Sequence, residues 1–367
     1  MKKFLSILII FILCISAFSG CGYEYQNPEV IGDYTSHDLA GTTLNIYNWG
    51  EYMSDGSEGS IDVVKEFEKL TGINVNYSTF DSNESMYSLI KYGGVSYDII
   101  IPSDYMIERM INEDMLQKLD TERLTNYHLI DENYKNLYYD RNNEYSVPFS
   151  VGMVGLIYNT TIVDEAPDSW SIMWDEKYKN DVLTFNNPRD SFAIAQFLLG
   201  QDINTTNRAE WDDAARLLKE QKSVLQAYVM DEVFNKMESG SAAIAPYYAG
   251  DYLSMVENNE DLAFVYPKEG TNIFVDAVCV PKNADNYDAA MLFINYLLEP
   301  SIALANAEYI YYASPNTSVT ENPEYSLLGD PIIYPGEKHM PKTQYFHDMD
   351  ADTRAYFDKL WQDVKLY

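Results

Sequence analysis

The sequence predicts an α/β protein built from two lobes with a cleft between them. Three observations support this prediction. The chain has 367 residues, a usual length for two α/β domains. Strand-like and helix-like segments alternate along it, which is typical of parallel sheets covered by helices. Two apolar segments, near 147–158 and 274–280, each run from one predicted lobe into the other, as in a hinged pair of lobes.

The first lobe begins with a βαβαβ pattern. Leu44 and Ile46 alternate with polar residues, as in a strand. The following "IDVVKEFEKL" places its apolar residues on one stripe of a helix that Gly72 can end. The next strand, helix and strand are predicted at "INVNY" (73–77), "SNESMYSLIKYG" (82–93) and "YDIII" (97–101). This order predicts a parallel, doubly wound sheet.

The remaining elements repeat the α/β theme. We interpret "YSVPFSVGMVGLIYN" (145–159) as the crossing into the second lobe, "VLTF" (182–185) as a strand there, and "NIFVDAVCVP" (272–281) as the returning strand. Helices are predicted from about Asp190 and over "NRAEWDDAARLLKEQ", "DEVFNKMESG", "AAMLFINYLLE", "SIALANAEYI" and "ADTRAYFDKLWQDVK". The predicted limits are residues 43–148 and 276–320 for lobe 1, and residues 149–275 and 321–367 for lobe 2.

The N-terminus has the features of a targeting signal. Two lysines precede the apolar run "FLSILIIFILCISAFSG", which is about as long as a secretory h-region and short for a membrane span. The run ends at "FSGC", which resembles a bacterial lipobox with Phe18 where leucine is usual. We predict a signal peptide over 1–20, lipidation of Cys21, and a lipid-anchored tether over 21–42. An ordinary signal peptide with an accidental cysteine is the alternative.

The charge balance limits the classes of partner. The chain has 57 acidic and 25 basic residues, a formal net charge of −32. Nucleic acid and anionic membrane surfaces are therefore poor partners, and cationic ligands are favoured. An acidic surface that keeps a secreted protein soluble accounts for most of these carboxylates.

The sequence has no clear catalytic, metal or cofactor motif. Its four histidines lack HxxxH or HExxH spacing, and "DSNES" (81–85) fails as a calcium loop at the sixth and twelfth positions. GxGxxG, GxxxxGK[ST] and GxSxG are absent from the sequence. We therefore expect no cofactor and no metal. Tyrosine doublets in "PYYAG" and "YIYYAS" leave a ferric-ion site open, and paired carboxylates leave a secreted hydrolase open.

Three loops follow the predicted strands of the first lobe: "WGEY", "STFDSN" and "PSDY". Ligands of parallel sheets bind beyond the carboxyl ends of the strands. The sequence therefore places one set of residues at one edge of the sheet: Trp49, Glu51, Tyr52, Ser103 and Tyr105. Two aromatic faces around a carboxylate suit an organic cation. Rings that belong to the core at a strand end are the alternative interpretation.

Several blocks in one order resemble the spermidine/putrescine-binding proteins of bacterial ABC transporters. They are "LNIYNWGEY", "KEFEKLTGINVNYSTFDSNESMYSLIK", "YDIIIPSDY", "YSVPFSVGMVGLIYN", "YPKEGTNIFVDAVCVP" and "YASPN", and the similarity covers about residues 43–365. The resemblance implies a two-lobed periplasmic-binding-protein fold, type II-like, in which each lobe is a mostly parallel sheet flanked by helices. The cleft would close on a linear polyamine. Such a protein would be an extracytoplasmic monomer without enzymatic activity that delivers its ligand to a permease.

Matched residue by residue, the resemblance implies a set of ligand contacts. The set is Trp49, Glu51, Tyr52, Ser103, Tyr105, Asn187, Asp190, Tyr248, Phe274, Asp276, Tyr312 and Gln344. Tyr248 takes the place of a tryptophan in this match. Three departures from the family matter: Asn187 replaces an acid, Phe274 loses an indole N–H, and the insertion "MSDGSEGS" lengthens the loop after "YNWGEY". These departures leave the preference among putrescine, spermidine and spermine open.

The implied set suits the chemistry of a polyamine, which alternates ammonium groups with methylenes. Aromatic faces attract both, through cation–π interactions of about 0.5–2 kcal/mol each and through apolar packing. Carboxylates must meet the ammonium groups, because an unpaired buried charge is costly. Asp276 is expected to matter most, since an acid within "NIFVDAVCV" loses much of its hydration unless a cation compensates for it. Another small organic solute is the alternative ligand.

Overall fold

The computed structural model describes residues 28–35 and 38–367. The predicted signal peptide and Cys21 lie outside the described residues. The strands are β1 Thr43–Trp49, β2 Asn74–Phe80, β3 Ile99–Ile100, β4 Ser146–Asn159, β5 Val182–Phe185, β6 Leu225–Val229, β7 Ile244–Tyr248, β8 Leu262–Val265, β9 Thr271–Cys279 and β10 Thr343–Gln344. The helices are α1 Val63–Thr71, α2 Asn83–Tyr92, α3 Asp104–Asn112, α4 Pro188–Leu199, α5 Arg208–Gln221, α6 Glu232–Glu238, α7 Ala249–Asn258, α8 Tyr287–Leu297, α9 Pro300–Ile310, α10 Thr317–Thr320 and α11 Ala351–Leu366.

The first lobe is built on a short parallel sheet. β1 lies between β2 and β3 and is parallel to both, with Thr43 opposite Asn74 at one end of the β1–β2 register. Asp62 caps α1 by accepting a hydrogen bond from the backbone of Lys65, and Gly72 ends the helix with a φ of 72°. A left-handed residue at this position is what glycine allows. The predicted βαβαβ arrangement is therefore confirmed.

Two long strands connect the lobes. β4 and β9 run antiparallel to each other from the Ser146–Cys279 pair to the Met153–Ile273 pair. The far half of β4 then pairs with β7 and β8 in the second lobe. The strands at the junction are antiparallel because β4 takes the chain into the second lobe and β9 brings it back. The sheet is therefore parallel among β1–β3 and among β5–β7, and antiparallel in the pairs that β4 makes with β7, β8 and β9.

The second lobe has its own core. β5 is parallel to both β6 and β7. On its outer side, Phe192 of α4, Trp211 of α5 and Phe357 of α11 form a three-ring cluster with centroid separations of 5.0–5.5 Å. This packing fixes the C-terminal helix against the lobe and leaves the opposite ends of β5 and β7 facing the other lobe.

Some elements were not predicted. They are α3, β6, β7, α7, β8, α10 and β10. α3 and α7 matter for the site because each begins directly after a predicted ligand contact, Ser103 and Tyr248 respectively. Neither residue uses its side chain to cap its helix. Both side chains are therefore available to face the space between the lobes.

Part of the predicted tether packs against the first lobe. Tyr34 is only 3% exposed, and the buried Glu299 carboxylate holds this segment. That carboxylate accepts hydrogen bonds from the Ile31 and Gly32 amides, the Tyr34 hydroxyl and the Asn126 side chain, at 2.7–3.0 Å. In the part of the chain that the structure describes, no single helix is long and apolar enough to cross a membrane. α8 and α9 meet that criterion only as a pair, bent by 76°.

Candidate ligand-binding site

An open space of about 780 Å³, partly continuous with solvent, lies between the lobes at the ends of β1, β5 and β7. Both lobes contribute to its lining. Most of the sequence-predicted contacts lie there: Trp49, Tyr52, Ser103, Tyr105, Asn187, Asp190, Tyr248, Phe274, Asp276 and Tyr312. The structure therefore brings into one cleft residues that lie more than 250 positions apart in the sequence.

Aromatic rings form the walls of this cleft. The Tyr52 and Tyr312 centroids are 5.4 Å apart and the Tyr248 and Phe274 centroids 5.5 Å apart, both in edge-to-face geometry. Glycine is required behind these rings: a Cβ added at Gly152 would lie 2.3 Å from the Phe274 ring. Apolar faces of this kind suit both methylene chains and ammonium groups.

Asp276 lies on the hinge strand β9, opposite Ser150 and beside the β-bulge between Pro148 and Ser150. It is 3% exposed. The Tyr52 hydroxyl donates to its Oδ2 at 2.6 Å, but its Oδ1 has no hydrogen-bond partner among the described residues. Burial raises the pKa of Asp276 to about 6, and the side chains of Ser103 and Tyr52 oppose that rise. The carboxylate has lost water without regaining its full set of donors.

Asp190 shows the same pattern in the second lobe. It lies in the first turn of α4, where Asn187 caps the helix and Pro188 begins it. The Asn187 amide and the Tyr248 hydroxyl donate to its Oδ2 at 2.7 and 2.9 Å. Its Oδ1 has no partner within the described residues. Burial raises the pKa of Asp190 to about 7, partly opposed by Tyr248.

Arg189 is a cation in the cleft that sequence reasoning missed. It is 5% exposed, and its guanidinium lies 4.4 Å from the Phe346 ring centroid and 5.2 Å from that of Tyr105. Its charge favours ionised Asp190. The sequence contained a signal for it, because Arg189 lies between the two predicted contacts Asn187 and Asp190. Arg189 therefore already supplies one positive charge to this end of the cleft.

Other lining residues were missed as well. They are Gly50, Phe80, Asp81, Asn83, Met230, Asp231, Tyr247, Asp251, Asn272 and Phe346. Asp251 lies three residues after the predicted contact Tyr248, so the sequence offered a signal for it. Asp81 and Asp231 follow β2 and β6. Because the chain has 57 acidic residues, the presence of a carboxylate at these positions did not by itself indicate a binding site.

Two predicted contacts, Glu51 and Gln344, do not line the cleft. Glu51 is exposed and has a φ of 50°, and its carboxylate accepts a hydrogen bond from the Tyr309 hydroxyl at 3.3 Å. The turn that follows β1 therefore points this side chain away from the cavity. Gln344 lies in β10 beside β9, where its side-chain oxygen accepts from the Ile203 amide at 3.3 Å. The pairing of β10 with β9 therefore places Gln344 outside the set of residues that line the cleft.

The tyrosine doublets are poorly suited to ferric iron. Burial raises the pKa of Tyr247, Tyr248 and Tyr312 well above the ordinary tyrosine value. Nearby carboxylates, Asp190 and Asp251 among them, raise it further. Phenolate ligands would therefore be costly to form here. Within residues 28–35 and 38–367, His, Cys, Asp and Glu side chains form no group of three or more that could hold a metal ion.

Comparison with known proteins places the chain in a class. Residues 62–330 match the family described as "Bacterial extracellular solute-binding protein". The match covers most of the chain, so this protein belongs to that family. The fold prediction of two lobes around a cleft is confirmed. The family is one of solute-binding proteins and not of enzymes, in agreement with the expectation that the chain has no catalytic activity.

Individual proteins similar to this chain have names that are more specific than the family description. The chain is 33% identical to a spermidine/putrescine-binding periplasmic protein of Salmonella typhimurium, over 91% of this chain and 95% of that protein. Among solved structures, the spermidine/putrescine ABC transporter substrate-binding protein of Streptococcus pneumoniae has a TM-score of 0.74 and 35% identity, covering 89% of this chain and 99% of that one. The Tp0655 lipoprotein of Treponema pallidum has a TM-score of 0.77 and 25% identity, covering 89% and 100%.

Proposed function

We propose that this protein captures polyamines of the spermidine/putrescine class outside the cytoplasm and delivers them to the permease of an ABC importer. The observation that supports this most directly is the state of Asp276. Its buried carboxylate has one oxygen without a donor among the residues that the structure describes, on a hinge strand between aromatic walls. An ammonium group would supply the missing donor and the opposite charge together.

The rest of the cleft supports a linear organic cation. Tyr52, Phe274 and Tyr312 form an apolar cluster with Trp49 and Tyr248 against it. Methylenes pack on such rings, and ammonium groups are attracted to their faces. A ligand bound at about micromolar Kd needs about −8 kcal/mol, which a small cation with about ten heavy atoms can reach. The relatives named above point to the same class of ligand.

The cellular setting is part of the proposal. We infer lipidation at Cys21 from "FSGC", and a relative of known structure is itself called a lipoprotein. The anchor would hold a monomer at the outer face of the cell membrane. The lobe limits proposed above, 43–148 with 276–320 and 149–275 with 321–367, are supported by the antiparallel crossing of β4 and β9. Labelled fatty acid should enter the wild type and not Cys21→Ala; equal labelling of both contradicts the anchor.

One calorimetric series tests the ligand class. Putrescine, spermidine, spermine and a panel of amino acids are titrated into the purified protein at pH 7.5. We expect saturable binding of at least one polyamine and none of the amino acids. Ferric iron is titrated in parallel, with the visible charge-transfer band of phenolate as the readout. Binding of an amino acid or of iron, without binding of any polyamine, contradicts the proposal.

A further inference from the structure

We infer that Arg189 limits the length of polyamine that the cleft accepts, because its buried guanidinium occupies a place at one end where a further ammonium group would otherwise bind. The inference rests on the proposed polyamine function and names a residue that sets the specificity of the same site. Arg189 lines the cleft and is 5% exposed. A cation at this place repels a ligand ammonium strongly, since little water screens the two charges there.

The guanidinium lies against two aromatic rings of the cleft. It is 4.4 Å from the ring centroid of Phe346 and 5.2 Å from that of Tyr105, and the two rings are 5.9 Å apart in edge-to-face geometry. Aromatic faces of this kind attract the ammonium groups of a ligand as well. The first turn of α4 therefore places a cation of the chain itself where the walls suit a cation of the ligand.

Two carboxylates lie near the guanidinium, and each has one buried oxygen without a donor among the described residues. These oxygens are Glu84 Oε2 and Asp190 Oδ1. Burial raises the pKa of both carboxyl groups, and the charge of Arg189 opposes the rise. In the part of the chain that the structure describes, Arg189 nevertheless forms no direct ion pair, and its guanidinium donates to Asn204 Oδ1 at 3.4 Å. Arg189 therefore offsets the two charges without donating to either carboxylate.

The two carboxylates differ in their access to the cleft. Asp190 lines it, whereas Glu84 does not. Glu84 lies at the hydroxyl end of Tyr105, which donates to its Oε1 at 3.0 Å. An ammonium group that extends past Asp190 toward Glu84 would meet the guanidinium. A ligand short enough to end at Asp190 avoids this positive charge, and a longer ligand does not.

A buried arginine near two acids also has an ordinary structural role, because it offsets their charges. The two roles differ in how affinity depends on the length of the ligand. Loss of a purely structural arginine changes the affinity for every ligand by about the same factor. Loss of a blocking arginine favours long ligands over short ones. Linear diamines separate length from charge, since each carries two ammonium groups whatever the number of methylenes between them.

The experiment measures the binding of putrescine, cadaverine, 1,8-diaminooctane and 1,10-diaminodecane by calorimetry at pH 7.5, with spermidine and spermine alongside. We expect the affinity for 1,10-diaminodecane relative to putrescine to rise by about tenfold or more in Arg189→Gln and in Arg189→Met. Spermine should gain relative to putrescine as well. Arg109→Gln is the matched control, because Arg109 also lies over a tyrosine ring, 3.7 Å from the Tyr87 centroid, but does not line the cleft. Its affinity ratio should stay within about twofold of the wild-type ratio.

A double variant tests where the further ammonium group binds. In Arg189→Gln the long diamine can reach Glu84, so adding Glu84→Gln should remove most of the gain. A gain of the same size with and without the Glu84 carboxylate overturns the placement of the blocked position between Glu84 and Asp190.

The outcomes separate two failures. If the wild type binds no polyamine, the proposed function is wrong. If the wild type binds polyamine and the folded Arg189 variants change the affinity for every diamine by the same factor, only the role of Arg189 in specificity is overturned. Thermal unfolding without ligand shows which variants are folded. If neither variant folds, the wild-type series decides: an affinity that falls at the longest diamines supports the inference, and one that rises steadily to 1,10-diaminodecane overturns it.

Discussion

Glu299 and Asp276 are both buried carboxylates, 0% and 3% exposed, yet their surroundings differ. Glu299 accepts hydrogen bonds from two backbone amides, a tyrosine hydroxyl and an asparagine amide. Burial alone would raise the pKa of Glu299, but these donors lower it below the ordinary value. Asp276 accepts a close hydrogen bond from the Tyr52 hydroxyl at Oδ2, and its Oδ1 has no partner among the described residues. Burial raises its pKa to about 6, although the side chains of Ser103 and Tyr52 oppose the rise.

The difference teaches how to separate structural from functional acids. Donors replace the water that Glu299 loses, so its charge stabilises the folded protein and fastens the N-terminal segment to lobe 1. Asp276 loses water without equivalent replacement, so its charge destabilises the unliganded protein. A protein that keeps such a group in its hinge strand gains from it only when a cation binds. Burial alone does not distinguish the two residues; the number of donors does.

The largest expected effect is that of Asp276→Asn on binding. The amide keeps the shape and removes the charge, which leaves a ligand ammonium buried and unpaired. We expect polyamine affinity to fall by about 2–4 kcal/mol, or roughly 30- to 1000-fold, while the protein stays folded. Calorimetry gives the affinity and thermal unfolding the stability. Wild-type affinity in a folded variant would show that Asp276 is structural.

Glu299→Gln should have the converse effect. Removing the charge weakens several hydrogen bonds to a buried acceptor, each worth about 1.5–3 kcal/mol when charged, so we expect a loss of about 2 kcal/mol in the free energy of unfolding. Urea unfolding measures it. Polyamine affinity should stay within about twofold, because Glu299 does not line the cleft. A variant that loses affinity and keeps its stability contradicts the distinction between the two carboxylates.

The pH dependence should have opposite signs for binding and for unliganded stability. Folded Asp276 and Asp190, with pKa values of about 6 and 7, hold protons that the unfolded chain has lost. Their contribution to unliganded stability therefore falls as pH rises from about 4 to 7. Polyamine affinity should rise by about tenfold between pH 5 and pH 7, because binding needs these carboxylates ionised.

Glu299 provides the internal contrast for this prediction. Its lowered pKa means that its contribution to stability is present above the unfolded pKa and is lost as pH falls through the folded one. Calorimetry and thermal unfolding at pH 5, 6, 7 and 8 test both signs. Asp276→Asn should flatten the binding profile and Glu299→Gln should leave it unchanged. A wild-type affinity that does not vary with pH contradicts the prediction.

Tyr52→Phe should have the smallest effect. It removes the hydrogen bond from Tyr52 to Asp276 and keeps the ring, so we expect a loss of affinity of about 1 kcal/mol at pH 7. Without that donor the pKa of Asp276 should rise further, which moves the pH profile of binding upward. Affinities of the variant and the wild type at pH 6, 7 and 8 measure this shift. If the loss is equal at every pH, Tyr52 acts on the ligand alone.

Local pattern in the sequence was sufficient for much of the fold. Apolar periodicity predicted β1, α1 and β2, because one side of each must be buried whatever the rest of the chain does. The apolar segments over β4 and β9 predicted the crossing between lobes for the same reason. α3 and α7 were missed because each is short and begins within four residues of the end of a strand. The antiparallel pairing of β4 with β9 depends on residues that lie more than 100 positions apart.

The sequence by itself determined the class of site: aromatic residues and acids in blocks that follow predicted strands, of which most meet in one cleft. Only the tertiary structure decided which acids face it. Glu51 belongs to the most suggestive motif and points outward, because the φ of 50° in its turn directs it toward Tyr309. Asp251 faces the cleft because α7 packs on the Tyr312 ring through Gly250. The direction of a side chain at a turn depends on packing between distant elements, and no local pattern records it.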